Sequence, residues 1–418
     1  LGLSPDLEEQ MDALKVNVAG NLVFKGKLTG NFADPTIEGR AELASLSLRG
    51  REVGSVNADI FVSPAGTELR NGILSESVGG GTVTFSVSAP SGGVNNTSVK
   101  ATLKDMNAGN LLAALPIDLP ERLRDFTGTT SGTVDLSGLP DRSQGEINIT
   151  SAGGTVAGQA FDSLTAKAVF DGTRIELRQG EIRIGDGSLS AKGTYERAST
   201  AFDMNVEGKN VPLPLAAALL PQSSSIPSVS GFADFTARAV GEFDRPSTFD
   251  INFSGTGREL VVNDNPFGSL EFKGTTTGQV LNADLTLMLE GRPQVVNATV
   301  NFADEDLPFR VEHVLDKSPL APFFALVPQL RGIPLTGTGT GTVEFGGNLS
   351  RVNDRGEREF SAAGLSGTAR FSQLDLLIQD TPLSALEPIV VRFSPSEIDF
   401  QTARFGGGGS NLTISGVK

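Results

Sequence analysis

A chain of 418 residues with no cysteine has no disulfide framework, no thiol nucleophile and no cysteine-based metal site. Its formal charge of −15 disfavours nucleic acid, whose phosphates need Lys and Arg, and disfavours a polybasic membrane-surface module. Apolar residues reach only 38%, Trp is absent, and Phe (25) and Gly (50) stand out, a composition thin for a solid globule but sufficient for a sheet that is apolar on one face.

The chain begins at Leu1 without Met and stops at Lys418 inside a strand-like pattern, and it reads as a piece of a longer polypeptide. Residues 5–14 predict a short helix, with Ser4 as N-cap, Pro5 at the first helical position and Asp6, Glu8 and Glu9 at the positive end of the dipole. Strands follow. Val16, Val18, Leu22, Phe24 and Leu28 share one phase, broken by Gly20 and Gly26. A period of two means that successive side chains point to opposite faces of a sheet. Val56, Ala58, Ile60 and Val62 alternate, as do Val83, Phe85 and Val87, then Val99, Ala101 and Leu103. A leucine-rich helical stretch, Gly109–Pro116, closes this series.

The same order recurs. Leu164, Ala166, Ala168 and Phe170 alternate, followed by Ile175 and Leu177, Ile182 and Ile184, and a helical closer at Pro212–Pro221. A third series has Phe249, Ile251 and Phe253, then a hairpin, then Phe309 and Val311, with a closer at Pro319–Pro328. That hairpin is the clearest element in the chain. Leu281, Ala283, Leu285, Leu287 and Leu289 lie at every second position, and after Gly291-Arg292-Pro293 the pattern resumes with Val296, Ala298, Val300 and Phe302. A fourth series runs through Val343, Phe345, Ile389, Val391, Phe393, Ile398 and Phe400 without reaching a closer.

The closing prolines Pro116, Pro221 and Pro328 stand 105 and 107 residues apart (221 − 116 and 328 − 221). One period shared by independent markers predicts a repeat architecture. The expected division is 1–14 as the helical end of a preceding repeat, 15–116, 117–221 and 222–328 as repeats, and 329–418 as an incomplete one. The expected fold is mainly β: antiparallel sheet in about four repeats of ~105 residues, each closed by a short helix. Some 30–35 strands at ~4.8 Å each would make a sheet on the order of 150 Å long if continuous. A one-sided sheet must bury its apolar face. Separate closed β-domains, a closed solenoid and an open groove all satisfy that demand.

Candidates for chemistry are sparse. His313 is the single histidine and continues the phase of Phe309 and Val311, which points it into the apolar face. Asp304-Glu305-Asp306 and Asn263-Asp264-Asn265-Pro266 read as polar turns without Ca²⁺-loop spacing, and Gly406–Gly409 lacks the GK[ST] ending of a phosphate loop. No catalytic residue, metal ligand or cofactor site is expected. No stretch reaches the ~18 consecutive apolar residues of a membrane-spanning helix.

Glycine-punctuated strand phrases carry a family likeness. They include Gly20-Asn-Leu-Val-Phe-Lys-Gly-Lys-Leu-Thr-Gly30 with Asp34-Pro35-Thr36-Ile37-Glu38-Gly39, Gly185-Asp-Gly-Ser-Leu-Ser-Ala-Lys-Gly193 and Gly408-Gly-Ser-Asn-Leu-Thr-Ile-Ser-Gly416. With the leucine-rich closers, this texture resembles the AsmA-like superfamily and its TamB-type members. The resemblance implies a long curved sheet, folded like a taco around a hydrophobic groove, in the periplasm of a diderm bacterium. It implies phospholipid acyl chains as partners, carried between inner and outer membranes that are reached through regions outside this chain, and an outer-membrane barrel protein as a further partner. The alternatives are a structural or adhesion stalk of closed β-domains and a scaffold for outer-membrane protein assembly. The groove-lining residues expected are Val16, Val18, Leu22, Phe24, Leu28, Val83, Phe85, Val87, Leu164, Phe170, Ile175, Leu177, Ile182, Ile184, Phe249, Ile251, Phe253, Leu281, Leu285, Leu287, Leu289, Val296, Val300, Phe302, Phe309, Val311, Ile398 and Phe400.

Overall fold

A computed structural model describes residues 18–31, 34–48, 51–91, 94–114, 126–156, 158–215, 228–324, 334–352, 358–394, 396–407 and 409–417. The helix expected at 5–14 and the strand residue Val16 lie outside them. Strand takes up 81% of the described residues and helix 4%, so the protein is mainly β, and among the described residues the helices are few and short. The described residues form 25 strands. This is fewer than 30–35, because several run longer than the usual 5–6 residues; Arg358–Ile378 alone has 21.

Strand follows strand antiparallel, because period-two segments joined by tight turns can pair with their immediate neighbours. In the hairpin of β17 (Val280–Leu289) and β18 (Arg292–Asn301), Leu281 faces Val300, Ala283 faces Ala298 and Leu285 faces Val296. The turn is two residues long. Glu290 (φ 49°) and Gly291 (φ 75°) are both left-handed, the type I′ geometry whose twist suits a hairpin. Asn263 (φ 46°) with Asp264 (φ 65°) repeats it.

Short helices punctuate the strands at a regular interval. β7 (Thr97–Asn107) is followed by α1 (Ala108–Ala114), β13 (Ala201–Pro212) by a helical turn at 213–215, and β19 (Pro308–Pro319) by α2 (Ala321–Phe324). Six described strands separate one helix from the next. Just before each helix the backbone bulges into a left-handed residue: Asp105 (φ 53°), Asn210 (φ 48°) and Lys317 (φ 47°). Each bulged N–H donates to a side chain on the following strand, namely the Ser131 hydroxyl (3.0 Å), Asp234 Oδ1 (2.7 Å) and the Thr340 hydroxyl (3.1 Å). The bulge turns the chain out of the sheet, and the side-chain acceptor satisfies the amide that leaves the ladder.

The chain divides into two compact units, residues 1–201 and 202–418. In the first, burial concentrates beside α1, at Leu46, Val53, Leu103, Met106 and Ala108. Glu76 anchors that helix. Its carboxylate accepts from the Asn107 backbone N–H (3.0 Å) and from Asn110 Nδ2 (2.6 Å), while the Asn107 side chain caps the Gly109 N–H (2.9 Å). In the second unit, one cluster gathers Leu315, Leu320, Leu374, Leu383, Ile389, Ala403 and Phe405, and another gathers Leu260, Phe267 and Leu289.

Candidate functional site: an apolar sheet face

The strand registers align the alternating apolar residues into rows. In the first unit one row runs Leu22, Leu43, Val56, Leu74, Val83, Leu103, Gly132, Ile149, Ala166, Gly180, Ala191, each directly opposite the next. It crosses eleven strands from β2 (Leu22–Gly30) to β12 (Gly187–Glu196). In the second unit a row runs Phe235, Gly255, Phe272, Leu285, Val296, His313, Val343, Ala369, Val391, Phe400. A parallel row joins Phe253, Gly274, Ala283, Ala298, Val311, Phe345, Gly367, Phe393 and Ile398.

These rows place the sequence-derived candidates. Leu28 stands opposite Ile37, Phe24 opposite Ala41 and Val87 opposite Val99. Leu164 faces Ile182, Phe170 faces Ile175 and Ala168 faces Leu177. Between Leu177 and Ile182 the phase changes from odd to even, and a bulge absorbs the extra residue, so both pairs share one face. Val300 links Leu281 to Phe309, and Ile184 pairs with Gly187 at its turn. Val18 lies in a strand opposite Leu48.

Their burial is graded. Only Leu289 and Phe302 are buried, at opposite ends of the hairpin, whereas Leu22, Phe24 and Leu28 are exposed. Val83, Phe85, Phe170, Ile182, Ile251, Phe253, Leu285, Leu287, Val296 and Val311 are half-buried, as are the other candidates whose side chains are described. A closed core would bury such residues fully. Here full burial is commonest at the helix-bearing rim and in the cluster around Ile389, against which Phe400 packs, with Leu136 and Phe302 buried elsewhere. The sequence did not single out the rim residues Met106, Leu215, Phe267 and Leu320, because their burial comes from helices that cross over neighbouring strands.

The face is also thin. Several phenylalanines lie flat over a glycine on the neighbouring strand. A Cβ on Gly72 would stand 2.5, 2.6 and 2.7 Å from three ring atoms of Phe85, and one on Gly241 would stand 2.7 Å from the Phe249 ring. The Phe253 ring covers Gly274 and the Phe235 ring covers Gly208 in the same way. Gly72, Gly208, Gly241 and Gly274 are buried while the rings above them remain half-exposed. This arrangement needs glycine, since any Cβ would lift the ring off the backbone.

At the rim opposite the helices a chain of rings meets, with centroids 4.6 Å apart for the tilted pair Phe243 and Phe202, and 5.7 and 5.5 Å for the T-shaped pairs Phe202–Phe249 and Phe249–Phe302. Phe249 lies in the strand Arg245–Val262 and Phe302 directly follows β18, three strand spacings away, which would separate their backbones by ~14 Å in a flat sheet. The second unit therefore bends at this rim.

The other face is polar. It carries cross-strand ion pairs such as Lys100–Asp135 (3.0 Å), Arg238–Asp203 (2.9 Å) and Arg310–Glu344 (3.0 Å), all substantially exposed. The Arg238 guanidinium hydrogen-bonded to Asp203 holds that carboxyl below its ordinary pKa. Two open concavities of about 650 and 610 Å³ have mixed linings, Arg310, Glu344 and Arg392 with Phe345 and Phe393 in the first and Lys100, Thr102 and Asp135 with Phe85 and Val134 in the second. The acidic loop at 304–306 is a turn in which Asp304 Oδ1 accepts the Asp306 N–H at 2.9 Å. Among the described residues no three His, Cys, Asp or Glu side chains converge as metal ligands, and no helix is long and apolar enough to cross a membrane. His313 occupies the apolar face, as its phase implies, and is buried. Its Nε2 has no hydrogen-bond partner.

Comparison with protein-family models, with curated proteins and with solved structures gives no match, so the likeness to AsmA-like proteins rests on sequence texture alone.

Proposed function

We propose that this chain is a non-enzymatic segment of a lipid-transport bridge, in which acyl chains lie along the apolar sheet face and head groups stay in water. The observation that carries this reading is a pair of mostly apolar and mostly half-exposed rows, one across eleven strands in the first unit and one, interrupted by the buried His313, across ten in the second. An acyl chain is bound through apolar area, at ~0.8 kcal/mol for each CH₂ taken from water. It needs no fixed polar site, and a row of equivalent positions lets it slide without a deep minimum. Flattened rings over glycine leave room above the sheet for such a chain.

The same reading places the protein in the envelope of a diderm bacterium, between inner and outer membranes, with an outer-membrane barrel protein as a further partner. A structural stalk of closed β-domains is the competing reading, and the closed cluster around Ile389 and Phe405 favours it for the C-terminal strands. Native mass spectrometry of the chain purified without detergent separates the two. Several phospholipids per chain, lost in the Leu285→Asp/Leu287→Asp variant, support the bridge. A folded chain that carries no lipid supports the stalk.

A further inference from the structure

His313, the single histidine, is 7% exposed, and its Nε2 has no hydrogen-bond partner. β19 sets it directly opposite Val296 and Val343. The Phe323 ring of α2 lies against the imidazole, centroids 5.3 Å apart. Gln294, on β18 and the same face, is 1% exposed with its Oε1 likewise unpartnered. Among the described residues, Val296 from β18 and Val343 from β20 (Leu335–Val352) stand directly opposite His313, Val311 and Leu315 flank it on its own strand, Phe323 from α2 lies against it and Gln294 lies two residues along β18 from Val296, and none of these carries a charge. Burial holds its pKa below the ordinary 6.5.

Phe323 joins two cores. It packs against the cluster of Leu315, Leu320 and Ile389 and also against the cluster of Leu260, Phe267 and Leu289, with its ring 5.9 Å from that of Phe267. The described first turn of α2 hangs on a single backbone acceptor. The Phe323 and Phe324 N–H groups both donate to the Leu320 carbonyl, at 3.0 and 2.9 Å.

We propose that His313 is an acid-sensitive latch: the neutral imidazole seats Phe323, and protonation unseats it, lifting α2 and parting the two apolar clusters. An imidazolium at this position would be only 7% exposed and would meet no counter-charge among the described residues, and that desolvation outweighs the cation–π attraction of one phenyl ring. The latch belongs to the fold and does not depend on what the apolar face carries.

The sign follows from the depressed pKa. The open state takes up a proton near pH 6.5 and the closed state only at lower pH, so closure weakens as pH falls from 6.5 towards the folded pKa. Because the chain has one histidine, its imidazole NMR signal titrates without ambiguity. The expected result is a pKa below 6.5. In that window, exchange of the Phe323 and Phe324 amides, corrected for intrinsic rates, should accelerate by up to about tenfold per pH unit. In His313→Phe, and in His313→Asn should the larger ring not fit, this acceleration should vanish. A pKa at or above 6.5 (the result if the imidazolium bonds to Gln294) would overturn the latch. So would amide protection that ignores the titration, or an unchanged pH response in either variant.

Discussion

The Phe85 ring rests directly on Gly72 of the neighbouring strand, so close that a Cβ on the glycine would stand 2.5 Å from Cε2 of the ring. The same relation between Phe253 and Gly274 recurs in the second unit. It gives an apolar surface without the height of upright side chains. Gly72→Val and Gly274→Val should each lift a ring and strain the strand pair, lowering stability by about 1–3 kcal/mol in urea unfolding. A valine tolerated within a few tenths of a kcal/mol at both sites would mean that the rings are free to move aside.

Glu76 should matter more than its place on a strand suggests. It is 8% exposed and receives the Asn107 amide and the Asn110 side chain, so its removal orphans two donors at the base of α1. Glu76→Ala should cost about 1–3 kcal/mol, and Glu76→Gln, which keeps an acceptor, should cost less. Urea unfolding measures both. Exchange at 107–110 should rise in the alanine variant before global unfolding.

The three bulges before the helices should differ in sensitivity. Ser131 offers one acceptor to the exposed Asp105 amide, whereas Asp234 accepts from the Asn210 amide and also pairs with Arg258 at 2.9 Å. Ser131→Ala is expected to cost about 0.5–1 kcal/mol and Asp234→Ala about 1–3 kcal/mol. Equal losses would place the effect in strand propensity and not in the bulge.

Much of the fold was legible in the sequence because the period-two pattern is local. The hairpin from Leu281 to Phe302, the turn at Asn263-Asp264 and the burial of His313 on the apolar side follow from alternation and turn chemistry. The starts of the helical closers were legible as well, at 108–114, 213–215 and 321–324, while their remainders to Pro116, Pro221 and Pro328 lie outside the described residues. The bulges at Asp105, Asn210 and Lys317 were not, because their hydrogen bonds come from side chains 23 to 26 residues further along the chain. The pairing of Phe with Gly was hidden for a similar reason. Phe253 and Gly274 become neighbours only once the chain folds back at residues 263–264, although their equal distance from that turn was a usable signal. Nor could alternation separate a half-exposed face from a closed core. Both present the same residue types, and the difference lies in what the rim helices reach.

The central claim is that acyl chains occupy the apolar face, and site-specific photocrosslinking tests it most directly. A photoreactive side chain at Leu285, on the apolar row, is compared with one at Asp284, which faces the opposite, exposed side. The account predicts phospholipid adducts at Leu285 and almost none at Asp284 when the chain is isolated from membranes without detergent. No adduct at Leu285, or equal labelling at both positions, would contradict it.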